Sequence, residues 1–494
     1  MILAALILVP ALAGLASFKL ASDSTRRVVL ALSALAHLLL TLSCWVEPPG
    51  PAWNGWLELD QPGLLVLTTA SVLFLAGAVY SAGYLAREAR RTQADADQTS
   101  LLFVNAPEAT FTGCLLIFLS TMTLSCVSQH LGLLWVAIEG TTLASAPLIY
   151  FHRHRRSLEA TWKYLLLCSV GIALALLGNF FLSAAASSTG GNAPSLLVSD
   201  FVERGPRLNA TWVKIGFIFL LVGYGTKAGF APLQAWLPDA YSEAPSLVAA
   251  LLSGALANAA FLGVLRAQQV CDAAGLASFG HELLLFFGLF SMAFAAVFML
   301  SQTDYKRMLA YSSVENMGIL ATGIGLSGIA ATGAFLHVFF SPLLKGALFL
   351  LSGNILKHFR VRTIEGVRGA VTTLPISGPL WIATFLAATG APPFATFFSE
   401  WLIFKGALDA ERYAVAGLFL FLLTAIFIAM GRSVLKMSLG AGTPPPPGRA
   451  GGEPYTSFLP PLLLWTVALA LSLFLPVAVR ETIAQAARLF GGHS

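Results

Sequence analysis

The sequence predicts an all-α, polytopic membrane protein, and three observations lead to this fold class. Of the 494 residues, 57% are hydrophobic and only 11% are charged, whereas soluble domains carry about 25% charged residues. The apolar residues form runs of the length that a bilayer-spanning helix needs, about 20 residues. The basic residues lie in short clusters between these runs, as loops beside a membrane require, so we expect a lipid-embedded chain that binds no nucleic acid.

About 14 apolar segments are long enough to cross the bilayer. They lie at approximately 2–20, 28–46, 62–84, 108–126, 130–151, 159–182, 211–231, 245–267, 281–301, 307–327, 331–356, 373–410, 411–435 and 457–479. The first lacks a basic stretch before its apolar core, which favours a spanning helix over a signal peptide. The seventh ends at Pro232 and the twelfth contains Gly390 and Pro393. Interruptions of this kind predict broken helices, such as those that transporters use for ion sites.

The loop charges predict the orientation of the chain. Odd-numbered loops hold most of the 29 Lys and Arg residues, and basic loops face the cytoplasm. Both termini are therefore expected on the periplasmic side of a bacterial inner membrane. Four lysines fall inside apolar segments instead: Lys163, Lys227, Lys345 and Lys405.

The two interrupted segments lie five spans apart, which predicts two inverted five-helix repeats because an odd number of spans reverses orientation. The expected organisation is N-terminal helices over 1–107, a first repeat over 108–270, a second repeat over 271–440, a proline- and glycine-rich linker over 441–456 and a C-terminal helix over 457–494.

Charged side chains inside the predicted spans are the candidate functional residues, because each costs about 2.5–3.5 kcal/mol at the centre of a bilayer. Glu139 lies near the middle of the fifth span, and Lys227, beside the first break, is the best candidate for its counter-ion. Glu400 occupies the equivalent position after the second break. One such group could belong to an ion pair that only joins helices, but several at matching depth favour transport.

Another set of polar residues lies in the eleventh span. His337, Ser341 and Lys345 share one helical face, and histidine is suited to shuttling protons near neutral pH. Lys163 and Asn258 are possible accessory residues, although a surface anchor and an amide that joins helices are the alternatives. The predicted proton-transfer residues are Glu139, Lys227, His337, Lys345 and Glu400.

Several segments resemble the antiporter-like family that includes the large membrane subunits of respiratory complex I, multisubunit sodium/proton antiporters and membrane-bound hydrogenases. The most specific are 227–245 (KAGFAPLQAWLPDAYSEAP), 305–313 (YKRMLAYSS) and 337–345 (HVFFSPLLK). Within this family, segments 135–147 and 157–166 look most like the F subunit of hydrogenase 4.

The resemblance implies a proton-translocating subunit that has no catalytic chemistry and no cofactor of its own. It also implies partners: other antiporter-like membrane subunits and peripheral redox subunits, such as a nickel-iron hydrogenase. The family's fifth-helix glutamate corresponds to Glu139 and its broken-helix lysine to Lys227. Its eleventh-helix pair corresponds to His337 and Lys345, and its twelfth-helix charged residue to Glu400. In the eighth helix, Asn258 stands where a lysine is usual; an amide can order water but cannot hold a proton as a cation.

Alternative functions stay open from the sequence alone. Within the same family, the chain could serve a sodium/proton antiporter or an inorganic-carbon uptake complex, since nothing in the sequence selects the coupled ion. From another class, it could be a passive membrane scaffold with inert buried ion pairs. The five cysteines are scattered and show no metal-ligand spacing, and no nucleotide loop or nucleophile motif is present, so neither a metal site nor an enzyme acting alone is predicted.

Overall fold

A computed structural model describes residues 1–96, 105–187, 195–440 and 453–491, with the side chains of 87 and 89–96 left undescribed. Helices account for 82% of the chain, and the described ranges contain no β-strand. The predicted all-α fold is confirmed. Most of the predicted linker at 441–456 lies outside the described residues, and the predicted domain boundaries stay predictions.

The α-helices of the described residues are numbered in chain order. They are α1 Ile2–Lys19, α2 Asp23–Val46, α3 Gln61–Ala96, α4 Glu108–Val127, α5 Leu131–Ile149, α6 Arg155–Ser187, α7 Val198–Arg204, α8 Ala210–Ala228, α9 Leu237–Glu243, α10 Ser246–Leu251, α11 Ala257–Ala273, α12 Ala277–Leu300, α13 Tyr305–Leu326, α14 Gly328–Phe359, α15 Ala370–Thr373, α16 Ser377–Ala388, α17 Ala395–Asp409, α18 Tyr413–Ser438, α19 Tyr455–Leu473 and α20 Val477–Arg488. Short 3-10 turns follow α7 and α14.

Eleven spans in the described residues are long and apolar enough to cross a membrane, one of them the continuous run Ser246–Ala273. The other predicted spans correspond to α8, α13 and the interrupted pair α16 and α17. These helices are shorter or more polar because they carry the buried charges described below. The chain is a polytopic membrane protein.

Both predicted helix breaks are confirmed. The helix α8 ends at Ala228, and Gly229 follows with φ of 96°, a left-handed conformation that glycine adopts without steric cost. The chain is then non-helical until α9 begins at Leu237. In the second break, α16 ends at Ala388 and α17 begins at Ala395. Prolines in both breaks lack the N–H that a continuous helix would need.

Two features of the backbone were not predicted. A π-helical turn, Leu252–Leu256, joins α10 to α11, and such turns are frequent at functional sites. After α19, the chain forms the separate helix α20 instead of one C-terminal helix.

The centre of the protein is α14, whose most apolar stretch is fully buried. It packs against α13, α17, α19 and α3. The helices α6 and α8 also pack closely, because a Cβ atom on Gly223 would lie 2.6 Å from the carbonyl oxygen of Gly171. Small residues permit this close backbone approach between membrane helices, and it places Lys227 against α6.

Candidate functional site

Charged and polar side chains between the helices form two clusters. The first cluster, defined as Glu139, Thr142, Ser145, Tyr164, Ser169 and Lys227, lies between α5, α6 and α8. The second cluster, defined as Glu315, Asn316, His337, Ser341, Lys345, Ser399 and Glu400, lies between α13, α14 and α17.

Lys227 lies at the centre of the first cluster, in the last turn of α8 beside the break. Its side chain is only 1% exposed. The ammonium donates hydrogen bonds to the hydroxyl oxygens of Thr142, at 2.8 Å, and Tyr164, at 2.6 Å. The Tyr164 hydroxyl is in turn 2.6 Å from that of Ser145. The buried cation is thus held by neutral hydroxyl groups.

The predicted contact between Lys227 and Glu139 is indirect. Thr142 accepts from the Lys227 ammonium and donates to Glu139 Oε2 at 3.1 Å, while Ser169 donates to Glu139 Oε1 at 2.9 Å. No direct ion pair joins Glu139 and Lys227 among the described side chains. Because Thr142 follows Glu139 by three residues on α5, its hydroxyl occupies the space between the two charges. Lys227 is therefore near Glu139, as expected, with Thr142 bridging the two charges, and the role of this pair in proton transfer stays a prediction.

The break beside Lys227 is held in place by Trp236. Its indole N–H donates to the carbonyl oxygen of Thr226 at 2.9 Å, and its ring packs 4.9 Å from that of Tyr164. A helix end leaves such carbonyls without helical partners, and inside a membrane they need another donor. Trp236 supplies that donor and also fixes a ring that holds the Lys227 site.

His337 and Asn316 organise the second cluster. His337 is fully buried, with Nδ1 2.9 Å from Ser399 Oγ and Nε2 3.3 Å from Asn316 Oδ1. Asn316 donates from Nδ2 to Ser341 Oγ at 3.0 Å. The histidine therefore connects α13, α14 and α17 through polar side chains, which agrees with the predicted shared face of His337 and Ser341.

Lys345 pairs with a carboxylate that the sequence interpretation did not identify. Its ammonium lies 3.5 Å from Glu315 Oε2, and the two side chains are 1% and 3% exposed. The separation is long for a hydrogen bond, so the contact is mainly electrostatic. The sequence carries a signal for Glu315, since it is an acidic residue inside the apolar segment 307–327, as Glu139 is in the fifth span.

Glu400 lies against the second break, as predicted. The carboxylate occupies the position that a Cβ atom on Gly390 would need, and Gly390 has φ of 72°. The preceding residue, Ser399, contacts His337, which places Glu400 beside the rest of the second cluster. Glycine at position 390 is required for backbone conformation and for the close approach of this carboxylate.

The two clusters are separated by the π-helical turn and Asn258. The Asn258 amide donates to the carbonyl oxygens of Gly254, at 3.2 Å, and Val338, at 3.4 Å, and Val338 is the neighbour of His337. Within the described residues, no unbroken series of hydrogen bonds joins Lys227 to His337. The described side chains therefore form two groups with Asn258 beside the second, and the path that joins them stays a prediction.

Lys163 lies outside both clusters. Its side chain is 44% exposed and pairs with Glu159 at 2.7 Å and Asp239 at 2.9 Å. Asp239 also pairs with Arg307 at 2.7 Å. These contacts match the surface-anchor alternative for Lys163. Among the described residues, no group of three or more His, Cys, Asp or Glu side chains could hold a metal ion.

Comparisons with known proteins agree on one family. The family model described as "NADH:quinone oxidoreductase/Mrp antiporter, TM" matches residues 128–427 of this chain. A hydrogenase-4 component F homolog of Methylacidiphilum infernorum is 32% identical over 440 residues, which cover 88% of each chain. Subunit N of the NADH-quinone oxidoreductase of Desulforudis audaxviator is 30% identical over 427 residues, 84% of this chain and 80% of that protein.

Solved structures share the fold. A chain of an archaeal membrane-bound sulfane sulfur reductase has a TM-score of 0.84 at 20% identity, with 99% of this chain and 98% of that chain covered. A chain of the Mrp complex from Dietzia sp. has a TM-score of 0.82 at 19% identity, with the same coverage.

Proposed function

We propose a function from one premise: this chain belongs to the NADH:quinone oxidoreductase/Mrp antiporter family of membrane subunits. It translocates protons as one subunit of a multi-subunit redox complex and performs no redox chemistry itself. The main support is that each cluster holds a buried lysine ammonium beside a carboxylate, at Lys227 and Lys345. Intramembrane ionisable groups of this kind mark ion and proton pathways.

The partners and orientation belong to the same proposal. The similarity to a hydrogenase-4 component F homolog supports peripheral hydrogenase subunits of the nickel-iron type and other antiporter-like membrane subunits as partners. The basic odd-numbered loops support periplasmic termini in a bacterial inner membrane. Large apolar side chains exposed on α1, α2 and α18 suit contact with lipid or with those membrane subunits.

Thr142 makes the first cluster a switch. While Thr142 bridges the two charges, Glu139 stabilises the Lys227 ammonium through one hydroxyl. A movement driven by a neighbouring subunit that turns Thr142 away removes this stabilisation, and Lys227 releases its proton past Asn258 towards the second cluster. There, an ion pair at 3.5 Å contributes on the order of 5 kcal/mol at an effective dielectric constant of 20. The electrostatic energy lost on opening that pair is large enough to drive release of the Lys345 proton towards Glu400.

Neutralising Glu139 tests the proposal against the passive scaffold. We expect Glu139→Gln to lower redox-driven proton pumping by at least about tenfold, since an amide preserves the shape but removes the charge that stabilises the Lys227 ammonium. Pumping is measured by fluorescence quenching in inverted membrane vesicles that contain the native complex. Unchanged proton flux would support a scaffold, and flux that requires sodium would support a sodium/proton antiporter.

The bridging role of Thr142 can be tested by substitution, with the neighbouring Thr141 as the matched control. We expect Thr142→Val to lower pumping by about tenfold and Thr142→Ser to retain it, because only the hydroxyl carries the link between the charges. Thr141, also buried, donates only to the Ile138 carbonyl of its own helix, so Thr141→Val should leave pumping near the parental rate. Equal losses in the two valine variants would contradict a bridging role for Thr142.

A further inference from the structure

Arg266 is a buried cation that the proposed pathway does not use. It lies in α11 and is 1% exposed. Its Nη2 donates to the carbonyl oxygen of Cys126 at 3.0 Å and lies 3.7 Å from Asp60 Oδ1. Its Nε and Nη1 atoms have no hydrogen-bond partner among the described residues. Because a guanidinium does not lose its proton in proteins, Arg266 is a fixed positive charge.

Arg266 lies towards one surface of the membrane domain. The helices α3 and α5 begin at this surface and α4 ends there, as the pairing of Leu57 with Ser128 shows. The helix α8 also begins there, because Asn209 donates its N–H to Ala185 near the end of α6. Lys227 lies at the far end of α8. In the orientation proposed above, this is the periplasmic surface, and Arg266 lies between it and Lys227.

Polar groups lie between the two cations. Tyr224 precedes Lys227 by one turn of α8, and its ring packs against Gly263, one turn before Arg266 on α11. The Tyr224 hydroxyl and Asn179 Oδ1 are buried and have no well-formed hydrogen bond in the described part of the chain. Buried polar atoms without protein partners commonly bind water, so this stretch can carry protons unless something opposes them.

We propose that Arg266 is an electrostatic seal that closes the Lys227 site to the periplasmic side. Its fixed charge repels protons and metal cations that enter between α8 and α11, as an arginine does in other membrane pores. Asp60 is partly exposed, so its opposing charge is screened by solvent. Lys227 then exchanges protons only with the cytoplasmic side and the second cluster. The seal rests on the proposed function, because it presupposes that Lys227 carries the transported proton.

Passive proton leak tests the seal without redox turnover. Vesicles that contain the assembled complex receive an acid pulse on the periplasmic side, and a trapped pH dye reports proton entry. Arg266→Gln should increase entry by roughly tenfold or more, because the positive charge that opposes cations is removed. Arg207 is exposed at the same surface, so Arg207→Gln is the control and should remain tight.

The double variant Arg266→Gln with Lys227→Ala identifies the route of the leak. The leak should disappear, because its path runs through the Lys227 site. A tight Arg266→Gln variant overturns the seal, and so does a leak that persists in the double variant, since that leak would come from damaged packing. A different result would contradict the proposed function itself: redox-driven proton pumping that survives the single variant Lys227→Ala.

Discussion

Replacing Lys227 with alanine is expected to reduce redox-driven proton pumping by about 10²-fold or more, the effect of removing a positioned proton-transfer group. The ammonium is the only cation that contacts Thr142 and Tyr164 among the described residues, and alanine leaves nothing there that can hold a proton. Both hydroxyl groups remain, so we expect the complex to assemble. Fluorescence quenching in inverted vesicles measures the pumping, and immunoblotting of the purified complex measures assembly.

Two further variants separate charge from proton release. Lys227→Arg keeps a positive charge that cannot be given up, so it should assemble and still fail to pump. Lys405 is half-exposed and 3.8 Å from Asp409, one turn away; Lys405→Ala should therefore pump at close to the parental rate. Pumping by Lys227→Arg at a normal rate would mean that the lysine positions other groups and does not carry the proton.

The positions of Lys227 and Glu400 could be predicted because the signal is local. Glycine and proline beside an ionisable residue in an apolar run predict a broken helix and a buried charge together, and the structure has both. The number of spans was also predictable, since hydropathy and loop charge give independent information about it. These features depend on residues close together in the sequence.

Thr142, Glu315 and Arg266 show where prediction from the sequence ends. Thr142 is one of many small polar residues in apolar helices, and its role depends on a distance of 2.8 Å to a residue 85 positions away. Glu315 becomes informative only when α13 and α14 pack and bring Lys345 to it. Arg266 lies near the end of the span 245–267, where a basic residue in a loop beside the membrane gives the same pattern. Helix packing decides the contacts of all three residues, and local sequence propensity carries little information about how helices pack.

Asn258 lies between the two clusters, at a position where a charged side chain would connect them. A lysine there would add a third buried cation between Lys227 and Lys345, whereas the asparagine holds its amide against the backbone beside His337. In the proposed pathway, the proton then crosses from one cluster to the other without resting on a side chain at this position. Lys227 and Lys345 are two separate cationic sites in this pathway, each with its own carboxylate.

Substitutions of Glu315 and Lys345 are expected to have the second large effect. Assembly of the complex and proton pumping should respond to them differently. Removing one partner of a buried ion pair leaves an uncompensated charge and costs about 3–5 kcal/mol. Glu315→Gln and Lys345→Met should each lower the amount of assembled complex, because both side chains are almost fully buried. The measurement is the yield of intact complex after detergent extraction, together with pumping per complex.

The double variant Glu315→Gln with Lys345→Met then distinguishes a structural pair from a functional one. Two neutral side chains of similar size remove the uncompensated charge, and replacing a buried pair in this way is often neutral or stabilising, so assembly should return to near the parental level. Pumping should stay at least about tenfold lower, because the proton-carrying group of the second cluster is gone. Recovery of both would show that the pair only joins α13 to α14, and protons would then have to cross the second repeat by another route.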